Sequence, residues 1–304
     1  MTEHSTKIGF FARMTNPEDR HPFFDQVEKL FRNKTGVAGL IIITIFFLAA
    51  ILAPRISPHD PVENSLYDQL KPPIWASGGS IKNILGTDDL GRDILSRIIW
   101  GARVSLTVGV VSVGIALIIG SLLGAMAGYY KGWLDNLIMR FMDIVLAFPN
   151  ILLAIVIVAY LGPGLRNAMI AIGIITIPRF ARIVRASVLE EREKDYVTAA
   201  RAVGAWDLRI IFNAIFPNCL APIIVQASLG FGSAILDAAG LSFLGLGAQP
   251  PIPEWGAMIA MGRSLILRAW WVMTIPGIAI LLGVLGFNLL GDGLRDALDP
   301  RLRD

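Results

Sequence analysis

Charged residues are scarce in this chain. They make up 17% of its 304 residues, whereas 54% of the residues are hydrophobic. The mean hydropathy of +0.61 is too high for a soluble domain of this length. The formal net charge is only +3, and the basic residues flank apolar runs without forming a stripe, which argues against nucleic acid as a partner. The composition therefore indicates an integral membrane protein.

Residues that bind metals or nucleotides, or that form disulfides, are also scarce. The single cysteine, Cys219, excludes an internal disulfide and is interpreted as a packing residue. Three histidines, His4, His21 and His59, lie outside the apolar runs and lack the spacing of an H-E-x-x-H site. The sequence contains no G-x-x-x-x-G-K-[ST] phosphate loop. We therefore expect no catalytic residue, metal site or cofactor in this chain, and any ATP would bind another subunit.

A polar, basic segment precedes the first apolar run. Within residues 1–36 apolar side chains recur at helical spacing, which predicts a cytoplasmic segment with an amphipathic helix along the membrane surface. Residues 37–53 form the first predicted transmembrane helix, because no convincing signal-peptide cleavage site precedes Pro54. Turn signals then predict a periplasmic loop over residues 54–101.

The predicted periplasmic loop contains the sequence LGTDDLGRD, whose glycines suit tight turns. Asp89 is expected to cap the helix that leads to Trp100. Two interpretations stay open for this stretch. It is either a capped helix that fixes the second span or a substrate site.

Residues 102–291 form the predicted core, with five more transmembrane helices and the cytoplasmic loop described below. A stripe of small residues in the second span allows close helix packing in lipid. The stripe consists of Ala116, Gly120, Gly124 and Gly128. Pro149 predicts a kink in the third span. With a charged tail at residues 292–304, the expected fold is an all-α polytopic membrane protein with six transmembrane helices and both termini in the cytoplasm.

One polar and basic insertion, residues 186–218, interrupts the apolar second half. Its pattern predicts a short helix over residues 196–203, a stop at Gly204 and a second helix to Phe216. Small side chains let a partner approach the first helix closely, and apolar side chains offer anchors. The small ones are Ala199, Ala200 and Ala202, and the apolar ones are Tyr196, Val197 and Trp206. The pattern therefore predicts a docking element.

The order Ala199-Ala200, Gly204 and Phe216-Pro217 resembles the E-A-A…G…I-x-L-P loop, the coupling helix of bacterial ABC-importer permeases. The match departs from that pattern at three positions, Thr198, Ala214 and Phe216. Four further stretches are similar to the peptide and nickel branch of this family, most closely to the second (C-type) permease subunit of dipeptide importers. They are residues 85–106, 215–231, 242–256 and 291–303. The alternative for the insertion is an amphipathic loop that lies on the membrane surface.

The resemblance implies a type I ABC-importer bundle in the bacterial inner membrane that moves dipeptides from periplasm to cytoplasm. Its implied partners are a second, homologous permease, two ATPase subunits that bind ATP and Mg²⁺, a periplasmic substrate-binding protein and membrane lipid. The residues implied in ATPase coupling are Tyr196, Val197, Ala199, Ala200, Gly204, Ala205 and Pro217. Longer peptides, glutathione, nickel chelates and haem stay open as substrates.

Polar residues within or beside the spans, together with one loop tryptophan, are candidates for the translocation path or its gate. They are Asp237, Gln226, Ser233, Asn150, Glu254 and Trp255. A carboxylate inside a span faces protein or water, so Asp237 either lines the pore or makes an interhelical hydrogen bond. By resemblance, the proline-rich loop with Glu254 and its aromatic anchor Trp255 lies near the external gate, together with a helix at residues 257–267.

The main alternative function is a secondary transporter or channel driven by an ion gradient. Such proteins place ionisable relays or broken helices at mid-membrane, often in two related halves. The sequence has no internal repeat, and only Asp237, Asp143 and Arg140 are charged within the predicted spans. A membrane scaffold without a transport role is the third hypothesis, and its loss would affect the assembly of a complex without abolishing uptake.

Overall fold

The computed structural model describes residues 28–298, and this range contains helices but no β-strand. The helices are α1 (Lys34–Ile56), α2 (Ile94–Tyr130), α3 (Gly132–Leu146), α4 (Asn150–Leu161), α5 (Leu165–Glu191), α6 (Asp195–Ala202), α7 (Asp207–Phe243), α8 (Trp255–Gly262) and α9 (Trp271–Leu298). Most of the predicted N-terminal segment and the end of the predicted tail lie outside the described residues, so the surface helix stays a prediction.

Five helices in the described range are long and apolar enough to cross a membrane: α1, α2, α5, α7 and α9. The pair α3 and α4 supplies a sixth crossing if it is one span, and its two halves are bent by 90°. The predicted kink is therefore present, and it is a complete break. Pro149 causes it, because proline donates no backbone hydrogen bond and disfavours the helical conformation of the residue before it.

The helix termini gather at two ends of the bundle. At the end that carries α6, Asn33 Nδ2 donates to Asp296 Oδ2 (2.8 Å) and Tyr129 Oη donates to Asp207 Oδ1 (2.7 Å). At the opposite end, which carries α8, the Gly164 amide donates to the Leu246 carbonyl (3.0 Å). We call these the α6 end and the α8 end. The first and last described helices meet at the α6 end, as an even number of crossings requires. Which end faces the cytoplasm stays a prediction.

The predicted stripe of small residues joins α2 to α5. A Cβ atom on Gly124 would lie 2.4 Å from the Ala181 carbonyl oxygen, and one on Gly120 would lie 2.8 Å from the Ile177 carbonyl oxygen. Real side chains do not approach backbone this closely, so the two helices touch because these residues are glycine. This packing is the rigid centre of the bundle.

The first loop is shorter than the predicted range of residues 54–101, because α1 ends later and α2 begins earlier than predicted. Asn33 caps α1, because its Oδ1 accepts hydrogen bonds from the amides of Thr35 (3.0 Å) and Gly36 (3.2 Å), and α1 runs through Pro54 to Ile56. The helix α2 begins at Ile94, and its cap is Asp93 and not Asp89, which is exposed. The prediction of Asp89 was wrong because a sequence pattern does not distinguish neighbouring acidic residues at a helix start.

Candidate functional site

The predicted helix, turn and second helix are present at the α6 end. The helix α6 ends in a left-handed turn at Gly204, whose φ of +82° favours glycine. The amide of Gly204 donates to the Arg201 carbonyl (2.9 Å), and the amide of Ala205 donates to the Ala200 carbonyl (3.0 Å). These bonds satisfy carbonyl groups at the end of α6 and reverse the chain into α7.

One side chain of α6 is buried in the bundle. Val197 is fully buried in an apolar cluster with residues of α5 and α7. The same cluster contains Val184, Val188, Ile210, Ile211 and Ile215. Burial of a valine is worth roughly 1.5 kcal/mol. Val197 is therefore not an outward anchor as predicted. It faces inward because the first part of α7 runs beneath α6 and presents an isoleucine-rich face.

Hydrogen bonds from Tyr196 fix α6 to both neighbouring helices. Its hydroxyl donates to Glu191 Oε2 at the end of α5 (2.7 Å) and accepts from Asn218 Nδ2 in α7 (3.2 Å). Burial is the main cause that raises the pKa of Tyr196 to about 12, and the hydrogen bond to the Glu191 carboxylate is the second. The hydroxyl is therefore protonated at neutral pH and keeps both bonds. Tyr196 thus links α6 to both α5 and α7.

The outer face of α6 and the start of α7 expose apolar side chains beyond the close-packed part of the bundle. Val203 is 84% exposed and Trp206 is 64% exposed. Trp206, Leu208 and Phe212 line an open hollow of about 550 Å³ with Arg209 and Asn213. Large exposed apolar side chains beside polar ones are typical of a protein interface. The sequence patterns missed Val203, Leu208 and Phe212, although Leu208 and Phe212 are spaced as neighbours on one helical face.

Most of the predicted coupling residues lie on this surface. Ala199, Gly204 and Pro217 are exposed, and Tyr196 is exposed by 38%. Ala200 and Ala205 are partly buried, and Val197 is on the inner side. The structure thus brings an exposed alanine, a turn glycine and an apolar rim together at one end of the molecule. Their role in coupling stays a prediction.

Three of the predicted path residues share one face of α7. Gln226, Ser233 and Asp237 are seven and four residues apart, which places them on one side of an α-helix, and all three are partly exposed. Asp237 makes no hydrogen bond or ion pair with another residue in the range 28–298, so the alternative of an interhelical hydrogen bond is not seen here. Asn150, also partly exposed, begins α4 at the break after α3.

Glu254 and Trp255 lie inside the protein and not at the surface of a loop. The Glu254 carboxylate caps α8, because it accepts hydrogen bonds from the amides of Gly256 (3.0 Å) and Ala257 (2.8 Å). Burial raises the pKa of Glu254, and the two backbone hydrogen bonds oppose this change. Both side chains are buried and fix α8 to the bundle, and their role at the gate stays a prediction.

Trp255 is therefore a core residue, and its prediction as a loop anchor was wrong. Its indole Nε1 donates to the Ile98 carbonyl (3.2 Å), and its ring packs edge-on against Phe46 with centroids 5.4 Å apart. Gly101 makes the room, because a Cβ atom there would lie 2.2 Å from the indole nitrogen. The predicted helix at residues 257–267 is α8, which begins at Trp255 and ends at Gly262.

The LGTDDLGRD stretch forms a buried charged cluster that sequence patterns did not predict. Arg92 Nε donates to Asp88 Oδ2 (2.7 Å), and the Arg92 amide donates to Asp88 Oδ1 (2.9 Å). One turn into α2, Arg97 Nη1 donates to the Pro61 carbonyl (2.8 Å). All three charged side chains are buried. The cluster holds the first loop, α2 and the α8 end together.

Comparison with known proteins gives two family matches. Residues 120–304 match the model of the binding-protein-dependent transport system inner membrane component. Residues 22–73 match the N-terminal TM domain of oligopeptide transport permease C. Together the two ranges include α1, α6 and most of the bundle.

Curated relatives are similar over almost the whole chain. The di/tripeptide transport system permease protein DppC of Pseudomonas aeruginosa is 55% identical over 272 residues, which are 90% of either chain. The dipeptide transport system permease protein DppC of Alkalihalophilus pseudofirmus is 53% identical over 291 residues, or 94% of either chain. The protein of the same name from Escherichia coli K12 is 55% identical over 90% of this chain and 91% of its own.

A solved structure supports the fold. The chain is similar to one from the inward-facing MetNI methionine ABC transporter, with a TM-score of 0.57 and 19% identity. The match covers 68% of this chain and 98% of the other. At this identity the similarity concerns the fold alone, which is that of a type I ABC-importer permease.

Proposed function

Since this chain belongs to the family of binding-protein-dependent transport system inner membrane components, as a C-type permease of the peptide branch, we propose that it moves dipeptides, or closely related short peptides, from periplasm to cytoplasm. It is a multi-pass inner-membrane protein and a transport subunit without catalytic chemistry of its own. The names of its curated relatives, 50 to 55% identical, support the dipeptide as substrate. An ion-gradient-driven transporter is not favoured.

In this proposal ATP and Mg²⁺ bind to two ATPase subunits, of which one docks on the surface formed by α6 and the start of α7 and the other on the coupling helix of the second permease. The observation that carries this step is the exposed apolar rim of Val203 and Trp206 in the turn that follows α6, a helix attached to the bundle by its inner face. Docking of an ATPase on α6 can drive transport only if α6 moves together with the bundle. The buried Val197 and the bonds of Tyr196 meet that requirement.

The remaining proposed partners are a second, homologous permease and a periplasmic substrate-binding protein. The second permease would complete the path beside the partly exposed face of α7 that carries Gln226, Ser233 and Asp237. The binding protein would deliver the peptide at the α8 end, which is the periplasmic end if both termini are cytoplasmic. When the ATPases close on ATP, they would pull on α6. The path would then open in turn to the periplasm and to the cytoplasm.

The docking step is tested by replacing Val203 with aspartate and measuring ATPase co-purification with the assembled permease. A buried, unpaired carboxylate in an apolar interface is costly, so we expect at least a tenfold loss of ATPase binding. The bundle is expected to remain folded because Val203 is exposed. Gly204→Trp is less suitable, since it would also strain the left-handed turn.

The matched control is Leu66→Asp, which introduces the same charge at a leucine that is 75% exposed near the α8 end. This variant should retain the ATPases. Equal retention by both variants, or equal loss by both, would contradict docking at α6.

A further inference from the structure

A cavity of about 160 Å³ lies at the α8 end beside the start of α2. Arg97, one turn into α2, is the only positively charged lining residue in the described part of the chain. The rest of the lining comes from the end of α7 with Ser242, from the loop after α7 with Gln249, and from α8 with Ala257 and Ala260. The cavity is thus a mostly apolar space with one cation in its wall.

Arg97 has no hydrogen-bonded counter-ion among the described residues, and its ion pair with Asp88 is long. Asp88 is the nearest carboxylate, but its oxygens already accept hydrogen bonds from Arg92 Nε and from the amides of Leu90 and Arg92. The distance from Arg97 Nε to Asp88 Oδ2 is 3.8 Å, which is too long for a hydrogen bond. Arg92 and Arg97 thus both pair with Asp88, and the pair with Arg97 is the longer of the two.

The hydrogen bonds of Arg97 are incomplete as well. Its side chain is 1% exposed, and although Nη1 donates to the Pro61 carbonyl, Nε has no partner among the described residues. A buried donor without an acceptor costs about 1–3 kcal/mol, and more when the group is charged. A water molecule in the cavity would satisfy the donor but would add no close counter-charge.

We propose that this cavity binds the C-terminal carboxylate of the peptide in transit, with Arg97 as its counter-ion. The inference rests on the proposed peptide-transport function. Arginine suits this role because its planar donors match the two oxygens of a carboxylate. No lining residue carries a carboxylate that would repel the ligand.

The size of the cavity limits what else enters with the carboxylate. Its volume equals that of about five water molecules at roughly 30 Å³ each. That space holds the carboxylate and one small residue, and the rest of the peptide would lie outside. We therefore expect dipeptides that end in glycine or alanine to bind better than those that end in tryptophan.

The test is direct binding of alanyl-alanine to the purified full-length chain together with its partner permease, measured by saturation-transfer NMR. The comparison ligand is alanyl-alanine amide, in which a neutral amide replaces the C-terminal carboxylate. We expect the amide to bind at least tenfold more weakly. Arg97→Gln should abolish this difference between the two ligands.

Two further variants separate binding from folding. Ala260→Leu fills the cavity without touching the charged cluster, and it should weaken alanyl-alanine binding at least tenfold. Arg103→Gln removes an exposed arginine on the same helix and should change nothing. If Arg97→Gln does not fold, the proposal is tested by Ala260→Leu and by the comparison of alanyl-alanine with its amide.

Equal binding of the free and amidated peptides would overturn the proposal, as would full binding by folded Ala260→Leu. Uptake by the assembled importer separates this inference from the proposed function. If the importer accumulates free and amidated dipeptides equally well, only the carboxylate site is wrong. If it accumulates neither, the proposed transport of dipeptides fails, and the binding data still decide whether the cavity takes a carboxylate.

Discussion

The Asp93 carboxylate organises the start of α2. It accepts hydrogen bonds from the Ser96 amide (2.8 Å), the Ser96 hydroxyl (2.7 Å) and Asn83 Nδ2 (3.0 Å). Asp93→Ala would remove the helix cap and leave buried donors unpaired. We therefore expect a loss of about 2 kcal/mol in the free energy of unfolding.

The decrease in the free energy of unfolding can be measured through the single buried cysteine, Cys219. A thiol-reactive fluorophore reaches it only when the bundle opens, so the midpoint of labelling on heating follows stability. Asp89→Ala is the control, because Asp89 is exposed. A lower midpoint for Asp89→Ala than for Asp93→Ala would contradict the assignment of the cap.

Single residues were predictable where backbone conformation alone decides their role. Gly204 is an example, since a helix stop followed by a second helix requires a left-handed residue. Val197 and Trp255 were not predictable, because their burial depends on which distant helix packs beside them. A pattern shows that a residue is apolar, but it does not show whether a partner protein or the same chain covers it.

At the scale of elements, the contact of α2 with α5 depends on glycine. A Cβ atom at position 124 would lie 2.4 Å from the Ala181 carbonyl oxygen, so Gly124→Ala forces the helices apart. We expect a loss of about 1–3 kcal/mol in the free energy of unfolding, visible in the same labelling assay.

The helix α2 offers a matched control for this substitution. A Cβ atom on Gly114 would meet nothing within 4 Å. Gly114→Ala should therefore be neutral or stabilising by up to about 1 kcal/mol, the difference in helix propensity. Equal destabilisation by both alanines would show that close helix contact is not what Gly124 provides.

The breaks within elements were predictable in position but not in size. Pro149 marked the place where the third span bends, yet the 90° angle depends on how α3 and α4 each pack against the bundle. The π-helical residues 210–215 in α7 follow no periodic pattern in the sequence. They arise where α7 must fit beneath α6, because Ile210, Ile211 and Ile215 all bury against it.

At the scale of the whole molecule, the two ends of the bundle differ in chemistry. The α6 end exposes an apolar rim, whereas the α8 end contains the buried cluster of Asp88, Arg92 and Arg97. Composition and the length of apolar runs were enough to predict the helical bundle, because lipid requires every backbone group in a span to bond within the helix. The charged cluster was not predictable, since it depends on the folded path of the first loop back to Pro61.

The central claim is that this chain passes dipeptides across the membrane by the action of ATPases docked at the α6 end. Its most direct test is the uptake of a radiolabelled dipeptide into proteoliposomes that contain the chain with its partner permease, ATPase subunits and binding protein. We predict accumulation against the concentration gradient only when ATP is supplied to the side of the ATPases, and none with a proton gradient alone. Uptake driven by the proton gradient in vesicles that lack the ATPases would contradict the account.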